Sequence, residues 1–240
     1  MSDDKGTKKG VIDDVHDIHI PSDELGIRLG GGIPKGSIVL IEGEEGSGRS
    51  VISQRLCYGL LMNGTGVTFV NTEQTMKQFI DQMFSLNYRI DRHLIDGHLQ
   101  FFPVYPLLGT QAIRKGFMDK LMSSPVLYDK QALIVDSLTA LIGNEMDTSS
   151  CMRLMGFLKK QARLDKTIIL TAEKGLAALE PLRLGSDIYL SLQMKHMGGS
   201  LLRTVEVKRF LRARSNVDDV LAYRVEPRSG LVIEITEVAG

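Results

Sequence analysis

Short apolar runs rich in β-branched residues alternate with longer segments of helical periodicity along most of the chain. This alternation is typical of a parallel sheet whose strands are joined by crossover helices. The pattern predicts strands at 37–42, 67–71, 98–104, 132–136, 167–171 and 187–192. It predicts helices at 50–62, 75–86, 110–122 and 149–164. In the second helix one apolar stripe is expected to pack on the core, formed by Met76, Phe79, Ile80, Met83 and Phe84.

The two ends of the chain have a different character. Beyond Leu202, three β-type runs at 204–208, 221–225 and 231–235 lie close together with turn signals such as P-R-S-G. They predict antiparallel strands at the C-terminal end of the sheet. Residues 1–20 are predicted to form a flexible N-terminal tail because they begin with charged and small residues. We therefore expect an α/β fold with a mostly parallel central sheet flanked by helices, in a single domain spanning 21–240.

Composition narrows the class of protein. The chain has 240 residues, 43% hydrophobic and 24% charged, which is ordinary for a packed globular domain. Its formal net charge is zero, so no global field attracts nucleic acid or anionic lipid, although a local basic patch stays open. Two cysteines, no signal-peptide pattern and no long apolar run favour a cytoplasmic protein without a membrane span.

The strongest chemical signal is G-E-E-G-S-G-R-S at 43–50, between a predicted strand and a predicted helix. Its glycines permit tight turns that bring backbone N–H groups close to phosphate oxygens, as in a Walker A loop. Ser50 occupies the position of the Mg²⁺-binding hydroxyl, and Arg49 stands where the usual pattern has lysine. A glycine-rich turn without a ligand is the alternative. The predicted nucleotide-binding residues are Gly43, Glu44, Glu45, Gly46, Ser47, Gly48, Arg49, Ser50, Val51 and Asp136.

Two acidic residues follow predicted strands. Asp136 ends the apolar strand A-L-I-V-D, where a Walker B carboxylate holds Mg²⁺ through water. Glu73 ends V-T-F-V-N-T-E, where a carboxylate would orient and deprotonate an attacking water, so it is the candidate catalytic residue. A surface acid at the start of the next helix is the equally weighted alternative for Glu73. Gln74 beside it is neutral and cannot act as a base.

A basic cluster lies in V-K-R-F-L-R-A-R-S. Lys208 and Arg209 are candidates for a trans finger that reaches the γ-phosphate of a neighbouring subunit. A solvated face on an edge strand explains the same charges equally well. Ser137 and Thr139 after the Walker B strand are open to two interpretations, as phosphate acceptors or as hydrogen-bonding groups at a strand end.

Several segments together resemble KaiC-like proteins of the RecA superfamily. They are L-G-G-G-I-P-K-G-S-I-V-L-I-E-G at 29–43, the phosphate loop, F-V-N-T-E-Q, I-V-D-S-L-T-A-L and I-I-L-T-A-E, in that order. The resemblance covers nearly the whole chain and, within KaiC-like proteins, is greatest to the accessory ATP-binding proteins of the archaellum. It implies a RecA-type P-loop fold that binds ATP and Mg²⁺ at the strand tips and assembles into a homo-oligomeric ring.

The resemblance also implies a regulatory protein with weak or absent hydrolysis, at the inner face of the membrane through partners. The implied partners are the motor ATPase FlaI (ArlI) and scaffold or ring proteins of the archaellum. Three departures from the KaiC-like pattern affect turnover more than binding: Arg49, Gln74 in place of a second glutamate, and an irregular finger around Lys208 and Arg209. The alternatives are an active ATPase that works on DNA or phosphorylates itself, and a paralogue without nucleotide.

Overall fold

The computed structural model describes residues 14–104, 116–143, 146–197 and 200–234. The strands are β1 (Val15–His16), β2 (Ile33–Pro34), β3 (Ile38–Gly43), β4 (Val67–Asn71), β5 (Leu99–Pro103), β6 (Ala132–Asp136), β7 (Thr167–Glu173), β8 (Ile188–Met197), β9 (Ser200–Phe210), β10 (Val220–Glu226) and β11 (Gly230–Glu234). The helices are α1 (Leu25–Arg28), α2 (Arg49–Met62), α3 (Met76–Ser85), α4 (Asp91–Ile95), α5 (Phe117–Ser123), α6 (Leu138–Ile142), α7 (Thr148–Ala162) and α8 (Glu180–Gly185). Short 3₁₀ turns lie at Pro125–Tyr128 and Ala177–Leu179.

Strands β3 to β11 form one sheet in the order β11-β10-β9-β8-β3-β7-β6-β4-β5. The six strands from β8 to β5 pair in parallel, whereas β9, β10 and β11 pair antiparallel. Strands β1 and β2 form a separate small ribbon. The predicted fold class is therefore confirmed, because the sheet is mostly parallel and changes to antiparallel pairing near its C-terminal end.

The central strands are buried on both faces, which explains their nearly continuous apolar sequence. In β3, Val39 and Ile41 face the core that contains α2 and α3, whereas Ile38 and Leu40 face the core that contains α5 to α8. All four side chains are at most 1% exposed. Because β3 lies between β8 and β7, the loop that follows it emerges near the middle of the sheet.

Helix α3 was predicted at almost its observed position, and its start has a clear cause. The Thr75 hydroxyl accepts from the Gln78 backbone N–H, and the Gln78 side chain accepts from the Thr75 backbone N–H, which forms a capping box. Of the predicted stripe, Phe79 and Met83 are fully buried, but Met76 and Phe84 are 38% and 36% exposed. The core therefore takes a narrower face of α3 than the sequence pattern predicts.

The helix predicted at 110–122 lies partly outside the described residues, which resume at 116. Its described part is α5, which begins at Phe117 after Gly116 and extends to Ser123. In the described part of the chain, none of the helices has the length and apolar character needed to cross a membrane.

The segment 14–20 needs a correction, since it was predicted as part of a flexible tail. Ile18 and Ile20 are buried in the core beside α2. The Arg55 side chain on α2 donates to the Ile18 carbonyl oxygen at 2.9 Å and to the Asp23 carboxylate at 2.7 Å, and both charged side chains are fully buried. The alternation of Ile18 and Ile20 with polar residues, and this ion pair, place the segment in the fold. Residues 1–13 of the predicted tail lie outside the described residues.

Candidate nucleotide-binding site

The loop at 43–50 connects β3 to α2, as the sequence predicts, and folds into a tight cradle. Gly46 and Gly48 have φ angles of +75° and +93°, in the left-handed region that favours glycine. A Cβ atom at Gly48 would also overlap the Tyr223 hydroxyl. The Ser47 hydroxyl donates to the Glu44 carbonyl oxygen at 2.7 Å, which closes the loop on itself. The loop therefore places the N-terminus of α2, with its free N–H groups, at the carboxyl ends of the central parallel strands.

Asp136 ends β6 beside this loop and is only 3% exposed. Its carboxylate accepts hydrogen bonds from three hydroxyls: Thr171 at 2.6 Å, Ser53 at 3.1 Å and Ser50 at 3.3 Å. Burial raises the pKa of the Asp136 carboxyl above its ordinary value, while these hydroxyls and Arg49 act in the opposite direction. The structure thus brings together the two predicted Mg²⁺-binding side chains, Ser50 and Asp136.

Arg49 is the first residue of α2, and its side chain lies among the acidic groups of the site. Its positive charge lowers the pKa values of Glu73 and Asp136, against the effect of burial on each. Its Nη1 atom is buried and has no hydrogen-bond partner among the described residues. A buried guanidinium nitrogen without an acceptor is unfavourable, so the site fits an anion that would supply one.

Glu73 follows β4 in a loop whose shape is set by Asn71. The Asn71 side-chain oxygen accepts from the backbone N–H groups of Glu73 at 2.9 Å and Gln74 at 2.7 Å. Burial raises the pKa of the Glu73 carboxyl, and the negative charges of Asp136 and Glu45 raise it further. Glu73 lines the same cavity as the phosphate loop, whereas the Gln74 side chain contacts Asn71 and Gln54.

A cavity of about 510 Å³ lies over these groups. The predicted residues that line it are Glu44, Glu45, Gly46, Gly48, Arg49, Ser50, Val51, Glu73 and Asp136. Gly43 lies at the end of β3, where a Cβ atom would overlap the Ser47 hydroxyl, so both residues support the loop. Among the described residues, the cavity is also lined by Ser137, which was considered as a phosphate acceptor, and by Glu173, Arg203 and Val225, which were not predicted.

Arg203 is the most informative of the residues that sequence reasoning missed. Its Nε donates to the Gly46 carbonyl oxygen at 3.2 Å, so a second guanidinium lies at the tip of the phosphate loop. It reaches the loop because β9 pairs with β8, which itself lies beside β3. In the sequence, Arg203 is only a basic residue directly before the first antiparallel run, and nothing there indicates which strand or loop its side chain contacts.

The two finger candidates lie elsewhere on β9. Lys208 forms an ion pair with Glu206. The Arg209 guanidinium donates to the carbonyl oxygens of Arg183 at 2.8 Å, Leu184 at 3.2 Å and Ser186 at 2.8 Å, at the C-terminal end of α8. Within one copy of the chain, Arg209 therefore caps a helix, and neither residue lines the cavity.

The hydroxyls of Ser137 and Thr139, which follow β6, form a hydrogen bond to each other at 2.8 Å. The Thr139 hydroxyl also accepts from the Glu173 backbone N–H at 3.1 Å, and both side chains are buried. These contacts favour the structural interpretation of the pair as hydrogen-bonding groups at a strand end.

The fold and the loop define a P-loop protein with a RecA-like sheet. The family model of the KaiC ATPases matches residues 10–237, and the chain belongs to this family. The chain is 38% identical over 225 residues to the archaeal flagellar ATP-binding protein FlaH of Methanocaldococcus jannaschii, with 92% of this chain and 97% of the relative covered.

Solved structures agree with this assignment. The crystal structure of the flagellar accessory protein FlaH from M. jannaschii matches with a TM-score of 0.86 at 37% identity, covering 92% of this chain and 100% of that chain. A KaiC-like protein from Pyrococcus horikoshii matches with a TM-score of 0.72 at 18% identity, covering 92% and 98%. The second match concerns the fold alone.

Proposed function

We propose that the chain is an ATP-binding regulatory component of the archaellum motor. The observation that carries the proposal is the Ser50–Asp136 pair beside a loop whose Arg49 Nη1 atom is buried without a partner among the described residues. The M. jannaschii relative is named as an archaeal flagellar ATP-binding protein, which supports both the ligand and the cellular system of the proposal.

The residues present suit Mg-ATP. The Ser50 hydroxyl and the Asp136 carboxylate are oxygen ligands of the kind that Mg²⁺ prefers, the carboxylate acting through water. Backbone N–H groups of residue 46 and residues 48–51 and the Arg49 guanidinium would hold the phosphates, with Arg203 at the loop tip. Bound Mg²⁺ would neutralise phosphate charge in a cavity that Glu44, Glu45, Glu73 and Glu173 make acidic.

Weak or absent hydrolysis follows from the catalytic groups. Glu73 lines the cavity and the Gln74 side chain does not, so this loop supplies a single candidate base. Arg209 bonds to three carbonyl oxygens of its own chain, so a trans finger would have to break those bonds or use Lys208. Arg49 preserves positive charge but presents a planar fork where lysine is a compact point charge.

In this proposal the chain acts as a nucleotide-dependent adaptor. It docks on the motor ATPase FlaI and on scaffold or ring proteins, forms a homo-oligomeric ring, and lies in the cytoplasm at the inner face of the membrane. Nucleic acid is not a proposed partner, because the chain has zero formal net charge. The alternative, an active ATPase of KaiC type, is favoured by the raised pKa of the Glu73 carboxyl, which suits a general base.

Co-purification with the motor ATPase of the same organism tests the adaptor role. Retention should be greater with Mg-ATP than with Mg-ADP or no nucleotide, and Asp136→Asn should abolish that difference. A parallel phosphate-release assay should show little turnover. Equal retention in all nucleotide states would contradict the adaptor role, and rapid phosphate release that Glu73→Gln abolishes would favour the active ATPase.

A further inference from the structure

Three side-chain amides form a connected network behind Glu73. The orientation of the Asn71 amide is fixed, because its oxygen accepts the backbone N–H groups of Glu73 and Gln74. Its Nδ2 must then point the other way, and it donates to the Gln74 side-chain oxygen at 3.3 Å. The orientation of Gln74 follows in turn, since only its oxygen can accept from Asn71.

Gln54 completes the network from the phosphate-loop helix. Its Nε2 donates to the same Gln74 oxygen at 3.3 Å, and Gln54 is only 1% exposed. Gln54 lies in α2 one turn after Ser50. The Gln74 oxygen therefore joins the helix that begins at the phosphate loop to the residue that shapes the Glu73 loop.

From this network we infer that Gln74 is a positioning residue: its side-chain oxygen holds Asn71, and through Asn71 the backbone of Glu73, in place against Gln54 of α2. This role differs from the one that the sequence pattern suggests, in which Gln74 is simply the loss of a second catalytic carboxylate. Position 74 contacts Gln54 and Asn71, while Glu73 alone of the two lines the cavity.

The inference makes glutamine and glutamate equivalent for positioning. Both contacting groups are donors, so a carboxylate at position 74 would accept from Gln54 Nε2 and Asn71 Nδ2 just as the amide oxygen does. A glutamate would add negative charge near Glu73 and Asp136 but would not place a carboxylate in the cavity. Gln74→Glu should therefore retain the loop and should not restore turnover, whereas Gln74→Met keeps the length of the side chain and removes the acceptor.

Hydrogen exchange at individual backbone amides tests the positioning directly, without nucleotide. Gln74→Met should speed exchange at the Glu73 and Gln74 amides by roughly fivefold, the equivalent of one lost hydrogen bond. Gln74→Glu should leave both amides protected, and so should the control Gln82→Met on α3. Gln54→Met approaches the network from α2 and should give a smaller increase at the same two amides. Unchanged exchange in Gln74→Met, or equal increases in Gln74→Met and Gln74→Glu, would overturn the inference.

A second arm rests on the proposed function and uses calorimetric titration with Mg-ATP. Glu73→Gln removes a negative charge from the cavity and should change the affinity by about threefold. In the Gln74→Met background, Glu73→Gln should change the affinity for Mg-ATP by less, because Glu73 is no longer held in place. Fully additive effects would contradict the coupling. If the wild-type protein fails to bind ATP, the proposed function falls, while hydrogen exchange still decides the role of Gln74.

Discussion

The Tyr223 hydroxyl donates a hydrogen bond of 2.7 Å to the carbonyl oxygen of Ser47, in the middle of the phosphate loop. Tyr223 lies on β10 and is fully buried, so a strand from the antiparallel end of the sheet supports the phosphate loop. The two residues are 176 positions apart in sequence. The C-terminal strands are therefore part of the candidate nucleotide site rather than an appendage to it.

Removing this hydroxyl should weaken both the fold and the ligand site. Tyr223→Phe is expected to lower the free energy of unfolding by about 1–2 kcal/mol, because the Ser47 carbonyl loses a buried donor. Affinity for Mg-ATP should fall a fewfold as the loop loosens. Urea denaturation and calorimetric titration measure the two effects. Tyr58→Phe, which alters a partly buried ring stacked on Tyr88, is the matched control and should leave nucleotide affinity unchanged.

The Arg49 side chain should bind phosphate through its positive charge. Arg49→Ala is expected to weaken Mg-ATP binding by about tenfold or more, since it removes a cation whose Nη1 atom is buried in the site. Arg49→Lys restores the charge at the same position and should retain or improve affinity. Calorimetric titration of both variants gives the comparison. Wild-type affinity in Arg49→Ala would show that the guanidinium does not contact the ligand.

Asp136 should make the nucleotide-free protein less stable as the pH rises. Its carboxyl has an ordinary pKa of 3.8 in the unfolded chain and a raised pKa in the folded protein. Between those two values the folded state binds more protons, so the free energy of unfolding falls with rising pH, and the deficit persists above the raised pKa.

Asp136→Asn removes that titration, so the variant should gain stability relative to wild type as the pH rises above 3.8, the ordinary pKa of this carboxyl. Urea denaturation at a series of pH values measures the difference between the two proteins, which contains the titration of Asp136 and the effect of its charge on Glu73. The same variant should lose Mg²⁺-dependent nucleotide binding. Parallel stability curves for the two proteins would contradict the raised pKa.

Arg209 allows its structural and catalytic interpretations to be separated. If it caps α8, Arg209→Ala should lower the free energy of unfolding by about 1–2 kcal/mol, because three carbonyl oxygens lose a charged donor. Lys208→Ala, which removes only a partly exposed ion pair with Glu206, should change it by at most about 0.5 kcal/mol. An Arg209→Ala protein with wild-type stability and reduced phosphate release would instead support the finger.

The parts of the fold and site that the sequence predicted are those coded locally. Strand β3, the glycine loop and the start of α2 are contiguous, and the apolar run before Asp136 marks a buried strand by itself. Parallel strands place their carboxyl ends at one edge of the sheet, so the motif residues Ser50 and Asp136, each close to the end of a predicted strand, were expected to lie close together.

The parts that escaped prediction depend on contacts between distant segments. Arg203 and Tyr223 reach the phosphate loop only because β9 and β10 continue the sheet beyond β8. The direction of the Gln74 side chain depends on Asn71 and on Gln54, which lies 20 residues before Gln74 in the sequence. Helix α8 has six residues, which are too few to show a helical period. The arginine that caps it, Arg209, lies on strand β9.

The central claim is that Ser50 and Asp136 hold Mg²⁺ beside ATP, which binds in the phosphate loop that leads to Arg49. Calorimetric titration with ATP, with and without Mg²⁺, compares wild type with Ser50→Ala and Ser53→Ala, two variants that each remove one hydroxyl from Asp136. We predict Mg²⁺-dependent binding that Ser50→Ala weakens by about tenfold and Ser53→Ala by at most about twofold. Wild-type protein that binds no Mg-ATP, or a Ser50→Ala protein that binds it as wild type does, would contradict the claim.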